Sequence, residues 1–469
     1  MNKKMTLDTL VAWAKRRGFV FASSEIYGGF SAVYDYGHYG TLLKNTIQRL
    51  WWKEMVLNRD DVVGLDSGIF MHPKTWHASG HVESFDDPLI ECKNCHYRMR
   101  ADHLLEKFDL DVDRWPIDEV NKEVDRLKSE GKLKCEKCGS DNLTEAKQFN
   151  LLIRTNFGSP TDQISDENVV YPRGETCQGI YLNFKNTIDS MRVKLPLGIA
   201  QVGKAFRNEI VARQFIFRTR EFEQMEMQYF LHPDDMDKKF EYWMNERWNW
   251  YVNVLKLPEE KLKWKEHEKL AHYAKAAYDI QYKFASMGDK FDEVEGVHQR
   301  GDWDLSRHQE FSGKNLQYFD QVKGEKYIPH IMETSVGLTR LFLVVIDNAY
   351  TEEDLGDGKS RVVMKFPAHI APVKVAVFPL QKDNKLQEKA KSIYEMLKTG
   401  LDDVVEFDDV GNIGKMYRRQ DEIGTPFCVT VDYDSLNDEM VTVRDRDSMN
   451  QERVKISELN SYLKERIWG

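Results

Sequence analysis

One stretch of this sequence repeats arginine, acid and aromatic residues at a spacing that suits a nucleotide. Phe206-Arg207-Asn208-Glu209 is followed, after an eight-residue gap, by Arg218-Thr219-Arg220-Glu221-Phe222. A guanidinium binds phosphate through a fixed fork of N–H donors, and an aromatic face can stack on a purine. A surface β-hairpin with ordinary cross-strand ion pairs would show the same pattern, and spacing alone leaves both readings open. The run 221–230 interleaves Glu221, Glu223 and Glu226 with Phe222, Met225, Met227 and Tyr229. Glutamates carried into a sheet interior are costly unless cations meet them, so this strand is a candidate site.

Four of the six cysteines form two pairs, Cys92-Lys-Asn-Cys95 and Cys135-Glu-Lys-Cys138. In a reducing compartment such pairs read as metal ligands. Four thiolates around tetrahedral Zn²⁺ would fasten the ends of an acidic, helix-rich segment that otherwise lacks much core. Four protein ligands leave no open position, which makes the metal structural. An empty knuckle and a disulfide are the alternatives. Cys177 and Cys428 read as packed thiols, and His72, His77, His81, His96 and His103 as surface or packing residues without a companion ligand motif. Gly411-Asn-Ile-Gly414-Lys415 lacks the full spacing and the following hydroxyl of a phosphate loop.

These groups need a scaffold of two or three domains, because single cores rarely exceed about 250–300 residues and the chain has 469. With 41% hydrophobic and 31% charged residues it has the composition of a soluble globular protein. The longest obvious apolar run, 341–346, is far short of the roughly 20 residues that span a bilayer. Leu7, Leu10, Val11 and Ala14 recur at helical spacing and Lys15, Arg16 and Arg17 interrupt any secretory core, so a cytoplasmic location is expected. The formal charge of −10 neither indicates nor excludes a nucleic acid, since folded RNA can be held by a local basic face. The patterning predicts an amphipathic helix near 42–57 and short strands over 150–230. It predicts helix throughout 233–288, strands and loops over 293–331, and a helix over 340–350. Beyond Pro372, strands at 373–379, 404–407 and 427–431 alternate with helices at 386–397 and 413–421, the signature of a small α/β domain.

The segment around 206–222 resembles motif 2 of the class II aminoacyl-tRNA synthetases. Glu333-Thr-Ser-Val-Gly-Leu-Thr-Arg340, running into an apolar helix, resembles motif 3. Further stretches resemble the glycine enzyme of the homodimeric type: 78–82 (Ala-Ser-Gly-His-Val), 85–89 (Phe-Asp-Asp-Pro-Leu), 100–104, 173–180, 222–226 and 307–310. The resemblance implies an α/β (α+β) architecture in which an antiparallel-sheet catalytic domain, 1–91 and 139–371, carries motif 1 at about 29–63, motif 2 at 203–231 and motif 3 at 331–348. A helical zinc-knuckle insertion, 92–138, and a mixed α/β anticodon-binding domain, 372–469, complete it. Lys415, Arg418 and Arg419 of that last domain could face RNA.

Residue by residue, the resemblance gives Arg207, Glu333 and Arg340 catalytic roles. It assigns ATP to Arg207, Asn208, Glu209, Phe217, Arg218, Glu221, Phe222, Glu293, Val294, Gly337 and Arg340. It assigns glycine to Arg100, Glu175, Phe222, Glu223, Gln224, Met225, Glu226, Glu333 and Ser335, and Mg²⁺ to Glu293 and Glu333. The expected partners are glycine, ATP, tRNA(Gly) and a second copy of the chain, with neither membrane nor DNA. His38, Gly174, Cys177, Thr334 and Thr339 depart from the family pattern, which has proline, proline, alanine, proline and an acid there.

Glycine offers only an ammonium, a carboxylate and two hydrogens. Two carboxylates can take the ammonium by charge-assisted hydrogen bonds, and protein atoms can fill the space where a side chain would grow. Overpacking costs a larger amino acid roughly 1–3 kcal/mol or more, so no editing domain is needed. Two alternatives stay open: a class II synthetase for another amino acid, and a synthetase-like RNA-binding regulator that charges nothing. Intact Arg207, Arg218, Glu333 and Arg340 weigh against the second.

Overall fold

A computed structural model describes residues 5–110, 112, 115–158, 163–165, 168–210, 214–267, 275–356 and 359–469. Three residues of the gap inside the predicted motif 2, 211–213, lie outside this set.

The site rests on a seven-stranded sheet. Its strands are β1 (Val62–Gly64), β2 (Leu197–Phe206), β3 (Glu221–Leu231), β4 (Leu262–Glu266), β5 (Ala276–Phe284), β6 (Lys290–Gly301) and β7 (His330–Gly337), in spatial order β4-β5-β6-β7-β3-β2-β1. All neighbours are antiparallel except β1 and β2. Successive side chains of a strand point to opposite faces, and the sequence of β3 uses this sharply. Met225, Met227 and Tyr229 enter the main apolar core with Met332 and Val336 of β7. Phe222, Gln224 and Glu226 line a cavity on the other face, and Gln228 beyond them hydrogen-bonds to Glu333. The apolar face is covered by helices α1 (His38–Trp52), α3 (Met236–Asn249) and α4 (Leu338–Ala349). Helix α2 (Cys177–Met191) closes the polar face, packing Ile180, Tyr181 and Phe184 on Ile199, Phe230 and Ile331.

Among its described residues, the segment expected to be helical throughout, 233–288, is helical only in its first half. After α3 and one turn of π-helix, Trp250–Val254, the chain forms β4 and β5. In β5, Tyr278, Ile280, Tyr282 and Phe284 alternate with Asp279, Gln281 and Lys283, a period of two that outweighs the helix-favouring residues around it.

The segment around the cysteine pairs contains helix Ile117–Ser129 and a three-stranded sheet of Asp86–Glu91, Arg98–Arg100 and Lys147–Asn150. The expectation that it lacks core is wrong: Ile90, Met99, Leu105, Val120, Val124, Leu127 and Leu133 are all buried together. The last part of the chain has its own five-stranded sheet, from β8 (Val375–Pro379), β9 (Val405–Phe407), β10 (Phe427–Val431), β11 (Met440–Asp445) and β12 (Gln451–Lys455), ordered β9-β8-β10-β11-β12. Helices α5 (Asn384–Leu401), α6 (Ile413–Ile423) and α7 (Leu459–Trp468) flank it. No described helix is long and apolar enough to cross a membrane.

Candidate active site

Strands β3, β6 and β7 present their polar face to a cavity of 440 Å³. The ladder fixes which residues meet: Gln224 lies opposite Gly337, Glu226 opposite Ser335 and Gln228 opposite Glu333, while His298 of β6 lies opposite Glu333 on its other side. Residues distant in sequence but predicted to act together share this lining. Arg100, Glu175, Arg207, Glu209, Phe217, Arg218, Phe222, Gln224, Glu226, Glu293, Val294, Glu333, Ser335, Gly337 and Arg340 all border it.

Four predicted residues do not. Asn208 and Glu221 line a neighbouring cavity of 790 Å³ whose walls are largely aromatic and aliphatic. Glu221 pairs with Lys204, Glu223 pairs with Lys44 at 2.5 Å, and Met225 is fully buried in the core. The reason is the pleat: Glu221, Glu223 and Met225 alternate with Phe222, Gln224 and Glu226, so both sets cannot face one cavity.

The cavity has a cationic end and an anionic end. At the cationic end the Arg207 guanidinium lies over two rings, 5.0 Å from that of Phe85 and 5.3 Å from that of Phe222, and its Nε donates to the Gly174 carbonyl at 3.1 Å. Arg340 stacks 4.3 Å above the Phe217 ring and donates to the Glu293 carbonyl at 2.9 Å. Arg218 approaches Glu209 at 3.8 Å. Arg100 is held by Asp87 at 2.9 Å and by Asp102 at 2.5 Å.

At the anionic end, Glu175 takes contacts from His81 Nε2 at 3.1 Å, Cys177 Sγ at 3.0 Å and Gln178 Nε2 at 3.1 Å. Burial opposes its charge, but His81, Arg300 and the Cys177 hydrogen bond hold the carboxyl well below the usual carboxylate range. Glu226 is the opposite case. Its Oε1 accepts from the Ser335 hydroxyl at 2.9 Å, while its buried Oε2 has no hydrogen-bond partner among the described residues. Burial, then the charges of Glu333 and Glu175, push this carboxyl up to about 8. An unpartnered carboxylate oxygen beside a second acid is a place for a small cation such as an ammonium.

Glu333, expected as a Mg²⁺ ligand, already has both of its oxygens engaged by side chains. Its Oε1 accepts from Gln228 at 2.8 Å, and its Oε2 meets His298 Nδ1 at 2.9 Å and Arg300 at 3.1 Å. Burial opposes ionisation, yet Arg300 and His298 lower the carboxyl to about 2. A second cation there would stand against a guanidinium. Glu293, whose half-exposed side chain lies 3.4 Å from Arg340, has the oxygen ligands a divalent ion prefers.

His298, Arg300, Gln228, His81 and Gln178 were not anticipated. Arg300 is buried in a pair with Asp304 at 2.8 Å, and no motif in the sequence marks it. The glutamates inside a strand were the available signal, since each demanded a cation that had to come from somewhere. The departures also acquire places. Cys177 starts α2 against Glu175, Gly174 gives its carbonyl to Arg207, and Thr339 Oγ1 accepts the Glu223 amide at 3.1 Å.

The cysteine pairs converge as well. Cys92 and Cys138 Sγ lie 3.6 Å apart, as do Cys95 and Cys135, and all four sulfurs fall within 4.8 Å of one another. A tetrahedron of Zn–S bonds of about 2.3 Å sets sulfurs roughly 3.8 Å apart, whereas a disulfide needs about 2.05 Å. The donor set fits a tetrahedral metal.

A family model for the class II core domain of tRNA synthetases (G, H, P, S and T) matches residues 161–349, and one for the anticodon binding domain matches 374–466. The glycine–tRNA ligase of Treponema denticola is 52% identical over 450 residues, covering 94% of this chain and 93% of its own. That of Borreliella burgdorferi is 48% identical, covering 93% and 92%. That of Streptomyces coelicolor is 47% identical, covering 93% of each. Among solved structures, prolyl-tRNA synthetase from Cryptosporidium parvum complexed with L-proline and AMP superposes with a TM-score of 0.63 at 16% identity. It covers 98% of this chain and 77% of that one, a likeness of fold.

Proposed function

We propose, from the premise that the chain belongs to the glycine–tRNA ligase family, a division of labour among the residues of the pocket. The reaction is the ATP-dependent attachment of glycine to tRNA: glycine is first activated as its adenylate and then transferred to the terminal adenosine of tRNA(Gly). Glu175 and Glu226 bind the glycine ammonium, with Ser335 holding Glu226 in place. Arg100 faces the carboxylate. The adenine lies between Phe222 and Arg340, Glu209 reads its amine, and Arg218 takes the polyphosphate end.

The glycine carboxylate attacks the α-phosphorus in line and pyrophosphate leaves. Arg207, held over Phe85 and Phe222, stabilises the charge that grows on the α-phosphate oxygens. No covalent enzyme intermediate is needed, because positioning and charge neutralisation supply most of the acceleration. Mg²⁺, when bound at Glu293, contributes neutralisation of the polyphosphate. Zn²⁺ on the four cysteines is a structural fastening. The protein works in the cytoplasm, where translation takes place, and as a homodimer. The exposed Ile26, Tyr27 and Phe30, which are 88%, 86% and 59% accessible, support a partner on that face.

The observation that carries this reading is the single cavity bordered by both arginines, Arg207 and Arg340, and by both acids, Glu175 and Glu226. Glycine-driven ATP–pyrophosphate exchange tests it. Arg207→Ala should reduce exchange by roughly 10²–10³-fold or more with the circular dichroism unchanged. Exchange at the parent rate would remove Arg207 from the mechanism.

A further inference from the structure

Beside Glu333, a third group of metal-binding side chains comes together that the glycine and ATP roles do not use. Asp279 lies in the middle of β5, His298 lies in β6, and His267 follows β4, its amide donating to the Ala277 carbonyl at 3.0 Å. His267 Nε2 sits 2.7 Å from one Asp279 oxygen and His298 Nε2 sits 4.0 Å from the other. The three ligand atoms lie within 4.8 Å of one another.

Two observations point to a cation between them. Both Nε2 atoms are out of solvent, and neither makes a hydrogen bond of normal geometry with any described residue, the short His267 contact included. Buried ring nitrogens that face a carboxylate without such a bond leave a place for a water or an ion between them. In addition, His298 turns its other nitrogen, Nδ1, to Glu333 Oε2 at 2.9 Å. An imidazole that donates Nδ1–H to a carboxylate presents the Nε2 lone pair on its far side, the carboxylate–histidine–metal arrangement of metalloproteins.

We propose that His267, Asp279 and His298 bind a divalent transition metal of the zinc class, at a site separate from the four cysteines. Two imidazoles and one carboxylate suit such an ion and not Mg²⁺, which prefers oxygen ligands. Water completes the coordination. The His267 side chain, 34% exposed, gives the ion a route from solvent. The bound metal ties His267, next to the end of β4, to β5 and β6 and fixes His298 as a donor to Glu333, so it positions that carboxylate and takes no part in the chemistry.

The test counts metal on the full-length chain. The protein is stripped with chelator, loaded with Zn²⁺ or Co²⁺ without nucleotide, desalted and analysed by plasma mass spectrometry. His267→Ala and Asp279→Asn should each bind one equivalent fewer than the parent, with circular dichroism confirming the fold. A chain with Cys92→Ser and Cys95→Ser should keep one Co²⁺, with weak d–d bands and without the strong near-ultraviolet absorption of thiolate ligation. Equal metal content in the parent, His267→Ala and Asp279→Asn would overturn the site. So would Co²⁺ absorption in the parent that is wholly thiolate in character.

Discussion

Glu226 and Glu175 are identical in type and share one cavity, yet their environments drive them apart. Glu175 is ionised by His81, Arg300 and Cys177, while Glu226 is held up to about 8 by burial and by the neighbouring charges of Glu333 and Glu175. A pH dependence follows with a definite sign. Below that pKa the free pocket keeps a proton on Glu226, and an ammonium must displace it. Glycine KM should therefore fall as pH rises from about 6.5 to 8, by at most about tenfold per unit, and level off above. Glu226→Gln should raise KM and flatten the profile; an unchanged slope in that variant would assign the titration elsewhere. The same proton makes glycine raise the melting temperature more at pH 8 than at pH 6.5, readable by differential scanning fluorimetry. At this scale the charged groups were legible because arginines and glutamates in a sheet interior are expensive and call for an explanation. Their partners were not, because Arg300 and His298 are brought to Glu333 by strand register, which leaves no local trace.

The pleat of β3 decides which predicted residues reach the cavity. Phe222, Gln224 and Glu226 do, and Glu221, Glu223 and Met225 cannot. In the sequence they form one block, because a contiguous motif does not say which face it presents. Beside β3, β2 carries Gly203, where an added Cβ would overlap the Arg173 guanidinium. That guanidinium is buried and donates to the carbonyls of Lys204 at 2.6 Å and Ser67 at 2.9 Å. Gly203→Ala should cost about 1–3 kcal/mol through this displacement, seen as a lower urea midpoint with unchanged m-value. The parent midpoint would show that Arg173 can move freely. β5 is hard to tell from helix in the sequence because its alternating Tyr, Ile and Phe positions sit within a segment rich in helix-forming residues. The C-terminal strands, short and cleanly bounded by helices, were read closely: 427–431 was expected and Phe427–Val431 is found.

Across the whole molecule, the C-terminal domain is joined to the two-stranded hairpin that follows α4, Tyr350–Gly356 and Lys359–Met364, by buried ionic contacts that no motif announces. Asp421 of α6 binds Arg361, from the strand Lys359–Met364, at 2.8 Å and Arg444 of β11 at 2.8 Å. Trp13 Nε1 donates to the Glu422 carbonyl at 2.9 Å. Removing one member of a buried ionic group strands the others, so Asp421→Ala should destabilise the chain by roughly 3–5 kcal/mol in urea titration. A loss below about 1 kcal/mol, in the range of exposed pairs, would mean the hairpin and the C-terminal domain are held otherwise. Order along the chain was legible, since composition and periodicity change near Pro372. How that hairpin meets the C-terminal domain was not, because Arg361 and Asp421 are far apart in sequence. The central claim, the proposed selection of glycine, is that Glu175 and Glu226 hold the ammonium in a pocket too tight for a side chain. It is tested most directly by measuring kcat/KM of ATP–pyrophosphate exchange with glycine, alanine and serine in parallel. Exchange with glycine and a loss of about 10-fold to 200-fold or more for the other two is the predicted result. Comparable values for alanine would contradict it.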